Sequence, residues 1–120
     1  MLKSNAQPVA GVDQRGLSRK RLNASLRVFD RRTGHRIGRL VDITMDGLMI
    51  VSSEPIEIDS IFQFSMVLPC EIKSSSTVSF TAKSIWCKNA NYSHHFGTGF
   101  LIEDMFRDDV EILEKLIRGY

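Results

Sequence analysis

Residues 22–52 read LNASLRVFDRRTGHRIGRLVDITMDGLMIVS, and this stretch decides the fold class. At its start the apolar residues Leu22, Ala24, Leu26 and Val28 alternate with polar ones. Side chains on a β-strand point to opposite faces in turn, so this period of two is typical of a strand that is buried on one side. The stretch therefore begins with a half-buried strand.

Two short turn sequences divide the rest of this stretch. Residues 31–34 (RRTG) and residues 44–47 (TMDG) are rich in residues that favour turns, and each ends in glycine. They predict a second strand near Arg36–Ile43 and a third strand at 48–52. Because turns this short join antiparallel neighbours, the stretch predicts three consecutive antiparallel strands.

Three more strands follow in the second half of the chain. The first of them is expected to end at Pro69, and a serine cluster at 74–76 predicts a loop before the next strand. In that next strand Ser84 interrupts the apolar face and Trp86 is expected in the core, while residues 89–91 (NAN) predict a turn. The apolar faces of the three strands are, in chain order, Phe62, Phe64, Met66 and Leu68, then Val78, Phe80, Ala82 and Trp86, then Phe96, Thr98, Phe100 and Ile102.

The end of the chain changes to a helical period and predicts a helix at 108–118. Asp108 and Glu111 have the spacing of a capping box, and Gly119 follows as a C-cap. Six short antiparallel strands and one C-terminal α-helix predict a mainly β fold, a small antiparallel barrel. The apolar stripe of the helix, which is expected to cover the sheet, comprises Phe106, Val110, Ile112, Leu113, Leu116 and Ile117.

The N-terminal part of the chain differs from the rest in pattern and charge. Residues 1–18 lack apolar periodicity and predict a flexible N-terminal arm, which leaves residues 19–120 for the barrel domain. Residues 1–40 carry ten Lys or Arg and two acidic side chains, whereas residues 41–120 carry six basic and twelve acidic ones. A basic segment of this kind favours an anionic partner.

Several classes of function lack their sequence signature. The N-terminus has no apolar segment typical of a secretory signal, and residues 48–51, the longest strongly apolar run, are far too few to span a membrane. Cys70 and Cys87 predict reduced, buried thiols in a cytoplasmic protein, and neither forms a metal-ligand spacing with His94 or His95. Without a nucleophile motif or phosphate-binding glycine loop, no enzymatic activity, cofactor or metal is predicted.

Two short motifs combine into a family signature. Residues 15–19 (RGLSR) have the spacing RxxxR just before the first strand, and residues 42–47 (DITMDG) form DxTxxG at the second turn. Together they resemble the signature of the PilZ domain family, RxxxR followed by [D/N]xSxxG, and the resemblance extends over nearly the whole chain. Thr44 replaces the serine that is usual in the family, and Gln14 stands where many members carry another arginine.

The resemblance implies a PilZ-type barrel that binds cyclic di-GMP, a bacterial second messenger with two guanines and two phosphodiesters. Arg15 and Arg19 would contact the acceptor edge of a guanine, neutralise phosphates or stack on a purine. Asp42 would accept hydrogen bonds from the N–H edge of a guanine. The hydroxyl of Thr44 can point at the same ligand, and Gly47 can adopt a positive φ and lets the backbone approach closely.

The resemblance leaves several alternatives open. Arg21 is an alternative to Arg19, Trp86 is a further candidate for purine contact, and the ligand is either one cyclic di-GMP or an intercalated pair. The implied function is a ligand-gated adaptor that signals to a downstream protein, and the alternative is a protein-interaction scaffold that binds no nucleotide. No duplex nucleic acid or membrane insertion is predicted. Single-stranded nucleic acid is disfavoured because Phe29 is the only aromatic residue among residues 1–40.

Overall fold

The computed structural model describes residues 20–89 and 94–119, with side chains from Leu26 onward. Within these ranges the chain forms six β-strands and one α-helix, in agreement with the number predicted from the sequence pattern. The elements are β1 Lys20–Asp30, β2 Arg36–Ile43, β3 Gly47–Ser52, β4 Ile61–Ile72, β5 Ser75–Asn89, β6 Phe96–Asp104 and α1 Arg107–Arg118.

The strands close into an antiparallel barrel in the order β1-β2-β3-β6-β5-β4, and β4 returns to pair with β1. The first three strands follow the chain, as their short turns predict. The last strand, β6, then lies between β3 and β5, so the spatial order of the strands departs from the chain order after β3. Closure gives each of these strands a partner on both sides. The predicted mainly β barrel with a C-terminal helix is confirmed.

Apolar side chains from all six strands fill the barrel. Phe64 lies at the centre of an aromatic group: its ring centroid is 5.1 Å from that of Phe100 and 5.9 Å from that of Phe80, both in edge-to-face orientation. Such pairs contribute about 0.5–1.5 kcal/mol beyond the burial of their area. The three rings join β4, β5 and β6 in the interior of the barrel.

The helix packs against β4 and β5 with its apolar stripe. Gly119 ends it with a φ of 94°, so the predicted C-cap is confirmed. Phe106, which was expected in the stripe, precedes the helix and is 79% exposed. The buried residues of the stripe are Ile112, Leu113, Leu116 and Ile117.

The capping box predicted from Asp108 and Glu111 is wrong. Phe106 occupies the N-cap position in an extended conformation, and no side chain caps the helix. A capping box needs a hydroxyl or carboxylate at the N-cap, and a phenylalanine supplies none. Asp108 does lie in the first turn of the helix, whereas Glu111 lies beyond it, and neither forms a capping box.

Acidic residues of the helix instead attach it to the hairpin of β4 and β5. A carboxylate oxygen of Asp109 accepts a hydrogen bond from the backbone N–H of Ser79 at 3.0 Å. Glu111 accepts a hydrogen bond from the ammonium group of Lys73, which lies in the β4–β5 turn. These contacts supplement the apolar packing of α1 with polar connections at its edge.

The β4–β5 hairpin is longer than the sequence predicts. Pro69 does not end β4, which continues to Ile72 through an irregular stretch of register that accommodates a residue without an N–H. The turn consists of Lys73 and Ser74, with φ values of 52° and 64°, and β5 begins directly after it. Positive φ at both central residues is typical of a tight two-residue hairpin turn. The serine cluster is therefore mostly strand rather than loop.

Two other predictions are tested only in part or not at all. The flexible arm at 1–18 lies outside the described residues, as does the turn at 89–91 apart from Asn89. Cys70 and Cys87 are free, as predicted. Cys70 is exposed and Cys87 is half-buried, so the expectation that both thiols are buried is wrong.

Two searches of the described residues give negative results. In the described part of the chain, no helix has the length and apolar character needed to cross a membrane. Over the same ranges, no three His, Cys, Asp or Glu residues lie close enough together to hold a metal ion.

Candidate functional site

A β-bulge in β2 turns Asp42 onto the outer face of the barrel. Leu40 pairs with Ile50 and Asp42 pairs with Met49, so Val41 is an extra residue between the two pairs. In a regular strand, residues two apart point the same way, and Asp42 would share the inward face of Leu40. The bulge therefore keeps the carboxylate out of the apolar core, although neighbouring atoms cover it to 8% exposure.

A second bulge, in β5, does the same for Trp86. Ser84 pairs with Phe100 and Trp86 pairs with Gly99, so Ile85 is the extra residue. The prediction that Trp86 lies in the core is therefore wrong, whereas Ser84 does interrupt the apolar inward face, as predicted. Ser84 is fully buried, and the side chain of Trp86 is 37% exposed on the outside.

The two bulges align Asp42 and Trp86 in one line across the outer surface. Asp42 on β2 pairs with Met49 on β3. Met49 pairs in turn with Gly99 on β6, which pairs with Trp86 on β5. On the other side, Asp42 pairs with Arg21 on β1. We call these five residues the outer row. Since neighbouring strands lie about 4.8 Å apart, the backbones of Asp42 and Trp86 are about 14 Å apart along it.

Gly99 allows the indole of Trp86 to lie flat on the sheet. A Cβ added to Gly99 would lie 2.3 Å from Nε1 of Trp86 and 2.4 Å from its Cε2. The ring therefore occupies the space above the glycine and reaches along the row towards Asp42. The ammonium group of Lys88 lies 5.7 Å from the centre of the ring, within the range of a cation–π contact. These contacts hold the indole in one orientation.

An open cavity of about 350 Å³ follows the outer row. The β2–β3 turn closes one side of it, and Ile85 and Leu101 contribute apolar surface on the other. Among the described residues that line it, the charged ones are Asp42 and Asp46, both acidic. Its other lining residues include Thr44, Gly47, Met49, Trp86 and Gly99.

The hydroxyl of Thr44 organises the turn beside this cavity. Its Oγ1 accepts hydrogen bonds from the backbone N–H groups of Asp46 and Gly47, each at 3.1 Å. It also lies 3.3 Å from the carbonyl oxygen of Gly47, to which it donates. The sequence predicts that this hydroxyl points at a ligand, whereas in the structure it is engaged within the turn. Thr44 thus shapes the wall of the cavity.

Gly47 is needed for close packing rather than for its backbone conformation. The described glycines with positive φ are Gly34 and Gly119, so Gly47 does not use the positive φ that a glycine can adopt. A Cβ added to Gly47 would lie 2.6 Å from the carbonyl oxygen of Phe100 on β6. The expected close approach of the backbone is present, and it joins the turn to the neighbouring strand.

The structure brings together four of the seven residues that the sequence indicates as a site. The other three are arginines. Arg15 and Arg19 lie outside the described residues, and only the backbone of Arg21 is described, which pairs with that of Asp42. The four that line the cavity are Asp42, Thr44, Gly47 and Trp86.

The sequence analysis missed Met49 and Gly99, which form the middle of the outer row. The signal for Gly99 is present in the sequence, because a glycine inside a strand often marks a close approach of another group. Met49 gives no such signal, since its position in the row depends on the bulge in β2.

A small closed β-barrel with an open cavity on its outer face is the class of protein that this fold and site define. The PilZ domain model matches residues 14–119, and the chain belongs to the PilZ domain family. A search of curated protein sequences finds no match.

Solved structures share the fold at low sequence identity. The Bacillus subtilis inhibitor of motility MotI/DgrA is 14% identical with a TM-score of 0.68, over 89% of this chain and 50% of that one. MrkH, titled a c-di-GMP-dependent transcription regulatory factor, is 13% identical with a TM-score of 0.61, over 84% and 48%. The PilZ domain of YcgR from Escherichia coli, solved with c-di-GMP, is 12% identical with a TM-score of 0.62, over 89% and 91%. The chain spans about half the length of the first two.

Proposed function

We propose that this chain is a cytoplasmic receptor for cyclic di-GMP that acts by binding and not by catalysis. The observation that carries the proposal is the outer row, in which two bulges place a carboxylate and an indole along one cavity. Membership of the PilZ domain family and the likeness to a PilZ domain solved with this dinucleotide support the choice of ligand.

The spacing along the row favours a ligand with two bases. Asp42 would accept hydrogen bonds from the N–H edge of one guanine. Trp86 would stack on the second guanine, since every purine has a π-face that fits an indole. The backbones of the two residues lie about 14 Å apart at the usual strand spacing, so a ligand with a base at each end can use both residues. A mononucleotide would therefore use only half of the site.

The phosphodiesters of this ligand need cations that the described part of the cavity does not supply. The charged side chains lining it there, Asp42 and Asp46, repel an anion. We assign neutralisation to Arg15 and Arg19 of the RxxxR motif, with Arg21 as a further candidate. The position of Arg21, opposite Asp42 in the strand register, supports this assignment.

Signalling would follow from bringing residues 1–18 onto the barrel when the ligand binds. Ordering of this segment costs free energy, which binding offsets, and the closed form would present a new surface to a downstream protein. The alternative, a scaffold that binds partners without nucleotide, differs in a measurable way because it needs no ligand.

Isothermal titration calorimetry with cyclic di-GMP tests the proposal, with GMP as the matched control ligand. We expect affinity for cyclic di-GMP at the micromolar level or tighter, about −8 kcal/mol or more, and much weaker binding of GMP. The stoichiometry separates one bound ligand from an intercalated pair. Absence of heat and of any thermal shift at millimolar cyclic di-GMP would refute the proposal and favour the scaffold.

A further inference from the structure

A second cavity, of about 300 Å³, lies between the ends of β2 and β3. Its polar lining differs from that of the first cavity, because none of the described residues that line it carries a carboxylate. The two cavities share no lining residue. The side chains that supply its polar character are Arg36, Arg39, Ser52, Ser53 and His95.

Basic residues line up across the strands beside this cavity. Arg27 on β1 pairs directly with Arg39 on β2, and both side chains are exposed. Arg39 pairs with Val51 on β3. The same line continues through Gly97 on β6 to Lys88 on β5. We call the residues of this line the basic row. Its member on β3, Val51, is two residues from Met49 of the outer row and lies on the same face of the strand.

The charges of the basic row are not compensated within the described protein. Like charges directly opposite each other on neighbouring strands destabilise a sheet, so the Arg27–Arg39 pair is unfavourable in isolation. Neither Arg36 nor Arg39 forms an ion pair with any residue that the structure describes. Arg27 does not line the cavity, but an anion bound beside Arg39 would offset part of this repulsion.

We infer that the cavity at Arg36 and Arg39 is a second anion site that takes a phosphate group. A guanidinium presents two parallel N–H donors that match two phosphate oxygens, and the hydroxyl group of Ser53 is a further donor in the same cavity. The proton of the Ser52 hydroxyl is already donated to the carbonyl oxygen of Glu54, so Ser52 is not assigned a contact with the anion. The site goes beyond the cyclic di-GMP cavity and does not depend on it.

Titration with inorganic phosphate at constant ionic strength tests this site, with backbone amide signals followed by NMR. We expect saturable shifts confined to residues 36–39 and 51–53. The R36A/R39A variant should bind at least tenfold more weakly. The R107A/R118A variant removes the same charge from exposed positions on α1 and should bind like the wild type. R39K, which keeps the charge but loses the paired donors, should fall between them.

Two further arms separate the sources of phosphate and the two proposals. Co-sedimentation with phosphatidylcholine vesicles that contain phosphatidic acid, lost in R36A/R39A, would identify a lipid headgroup as the source. Binding of inorganic phosphate without vesicle binding would identify a soluble anion. D42A should leave the binding of inorganic phosphate unchanged, because Asp42 does not line this cavity. The phosphate result therefore stands even if the cyclic di-GMP proposal fails. Shifts that do not saturate, or that persist in R36A/R39A, would overturn the inference.

Discussion

Asp42 is the residue on which base recognition depends most in our proposal. Its carboxylate lies at the cavity and accepts hydrogen bonds without offering donors, which suits the N–H edge of guanine. We expect D42A to weaken cyclic di-GMP binding by about 1.5–3 kcal/mol, roughly ten- to a hundred-fold, because a charge-assisted hydrogen bond is worth about that much. Calorimetry of the variant measures the loss.

The matched control for D42A is D46A. Asp46 is an exposed carboxylate that lines the same cavity, so its removal changes the net charge equally without removing the proposed base contact. D46A should bind as well as the wild type or better, since it removes a negative charge near an anionic ligand. An equal loss of affinity in both variants would mean that either substitution disturbs the cavity in the same way and that Asp42 makes no specific contact with the base.

Trp86 offers a test that does not rely on removing a charge. Base–aromatic stacking contributes about 1–3 kcal/mol, so W86A should weaken cyclic di-GMP binding by this amount while W86F loses less. Trp86 is the only tryptophan in the chain, so its fluorescence reports directly on the cavity. We expect the ligand to change this emission in a saturable way.

Gly99→Ala tests the orientation of the indole without removing it. Its new Cβ would lie 2.3 Å from Trp86 Nε1, so the ring must move and the affinity should fall. G97A is the control, because its Cβ would meet only the terminal methyl of Met49, at 2.6 Å, which can rotate away. If G99A binds the ligand as tightly as G97A, the position of the indole is unimportant.

The chemistry of the site was predictable at the residue scale, but its arrangement was not. The DxTxxG motif indicates Asp42, Thr44 and Gly47 from the sequence alone, and the structure places all three at one cavity. Trp86 was assigned to the core because counting in twos from Phe80 puts it on the inward face. One extra residue at position 85 reverses that count, and a bulge has no fixed sequence signature.

Among the elements, the turn between β2 and β3 supports the site through the hydroxyl of Thr44. T44V keeps the shape of the side chain but leaves the N–H groups of Asp46 and Gly47 without this acceptor. We expect T44V to lower the free energy of unfolding by about 1 kcal/mol and to weaken ligand binding through a disordered turn. Chemical denaturation and calorimetry measure both effects.

T44S is the control for the turn because it retains the hydroxyl and restores the residue that is usual in the family. It should match the wild type in both the free energy of unfolding and ligand affinity. If T44V kept full stability yet lost affinity, the hydroxyl would contact the ligand directly and the role assigned to the turn would be wrong.

The pair Lys73–Glu111 links the β4–β5 turn to α1 and makes stability depend on pH. The hydrogen bond from Lys73, and then its positive charge, lower the pKa of Glu111 below 4.5, and the same contact raises the pKa of Lys73 above 10.5. A carboxyl group whose pKa is lower in the folded state stabilises that state at pH values above the pKa that it has in the unfolded chain. The contribution of Glu111 is lost as the pH falls through its pKa in the folded state. The contribution of Lys73 is lost as the pH rises through its raised pKa in the folded state.

We therefore expect E111Q to have a lower Tm than the wild type at neutral pH, by a small amount because the pair is exposed. The difference should vanish as the pH is lowered through the folded pKa of Glu111, below 4.5. E114Q is the control, since Glu114 lies on the same helix and forms no ion pair with the described residues. A Tm difference that does not change with pH would show that the pair contributes by packing.

At the scale of elements, the alternation of apolar and polar residues predicted the six strands. The wrong predictions concern turns, strand ends and the helix start, where the backbone departs from this period of two. The β4–β5 turn was misplaced because Lys73 and Ser74 adopt positive φ without the Asn-Gly or Asp-Gly sequence that signals such a turn. Pro69 was taken as a strand end, although irregular register tolerates it. The capping box failed because a spacing of acidic residues does not reveal which residue occupies the N-cap.

For the whole molecule, the uneven charge of the chain has a structural explanation in our proposal. The barrel presents a carboxylate-lined cavity, and the basic N-terminal segment joins the barrel at β1, whose Arg21 pairs with Asp42. In our proposal the two parts supply different groups to a dianionic ligand, since the described lining of the cavity includes no cation and the N-terminal segment carries the arginines of the RxxxR motif. Binding should therefore require both parts of one chain.

Two deletions of different length test this requirement. Removal of residues 1–13 takes away one lysine and one aspartate, so it leaves the net charge and both motif arginines unchanged. Removal of residues 1–19 also takes away Arg15 and Arg19 but leaves all of β1. Because the described core draws on residues from Leu26 onward, both barrels should unfold at temperatures close to that of the full chain.

The affinities of the two deletions should differ sharply. The shorter deletion should bind cyclic di-GMP like the full chain. The longer one should lose about 3–6 kcal/mol, the sum of two charge-assisted contacts, which would move a micromolar Kd to about 0.2–25 mM. Its residual binding should also depend less on salt, since fewer cations face the phosphates. Equal affinities would mean that the barrel binds the dinucleotide without the RxxxR motif, and the arginines would then have to be sought within β1.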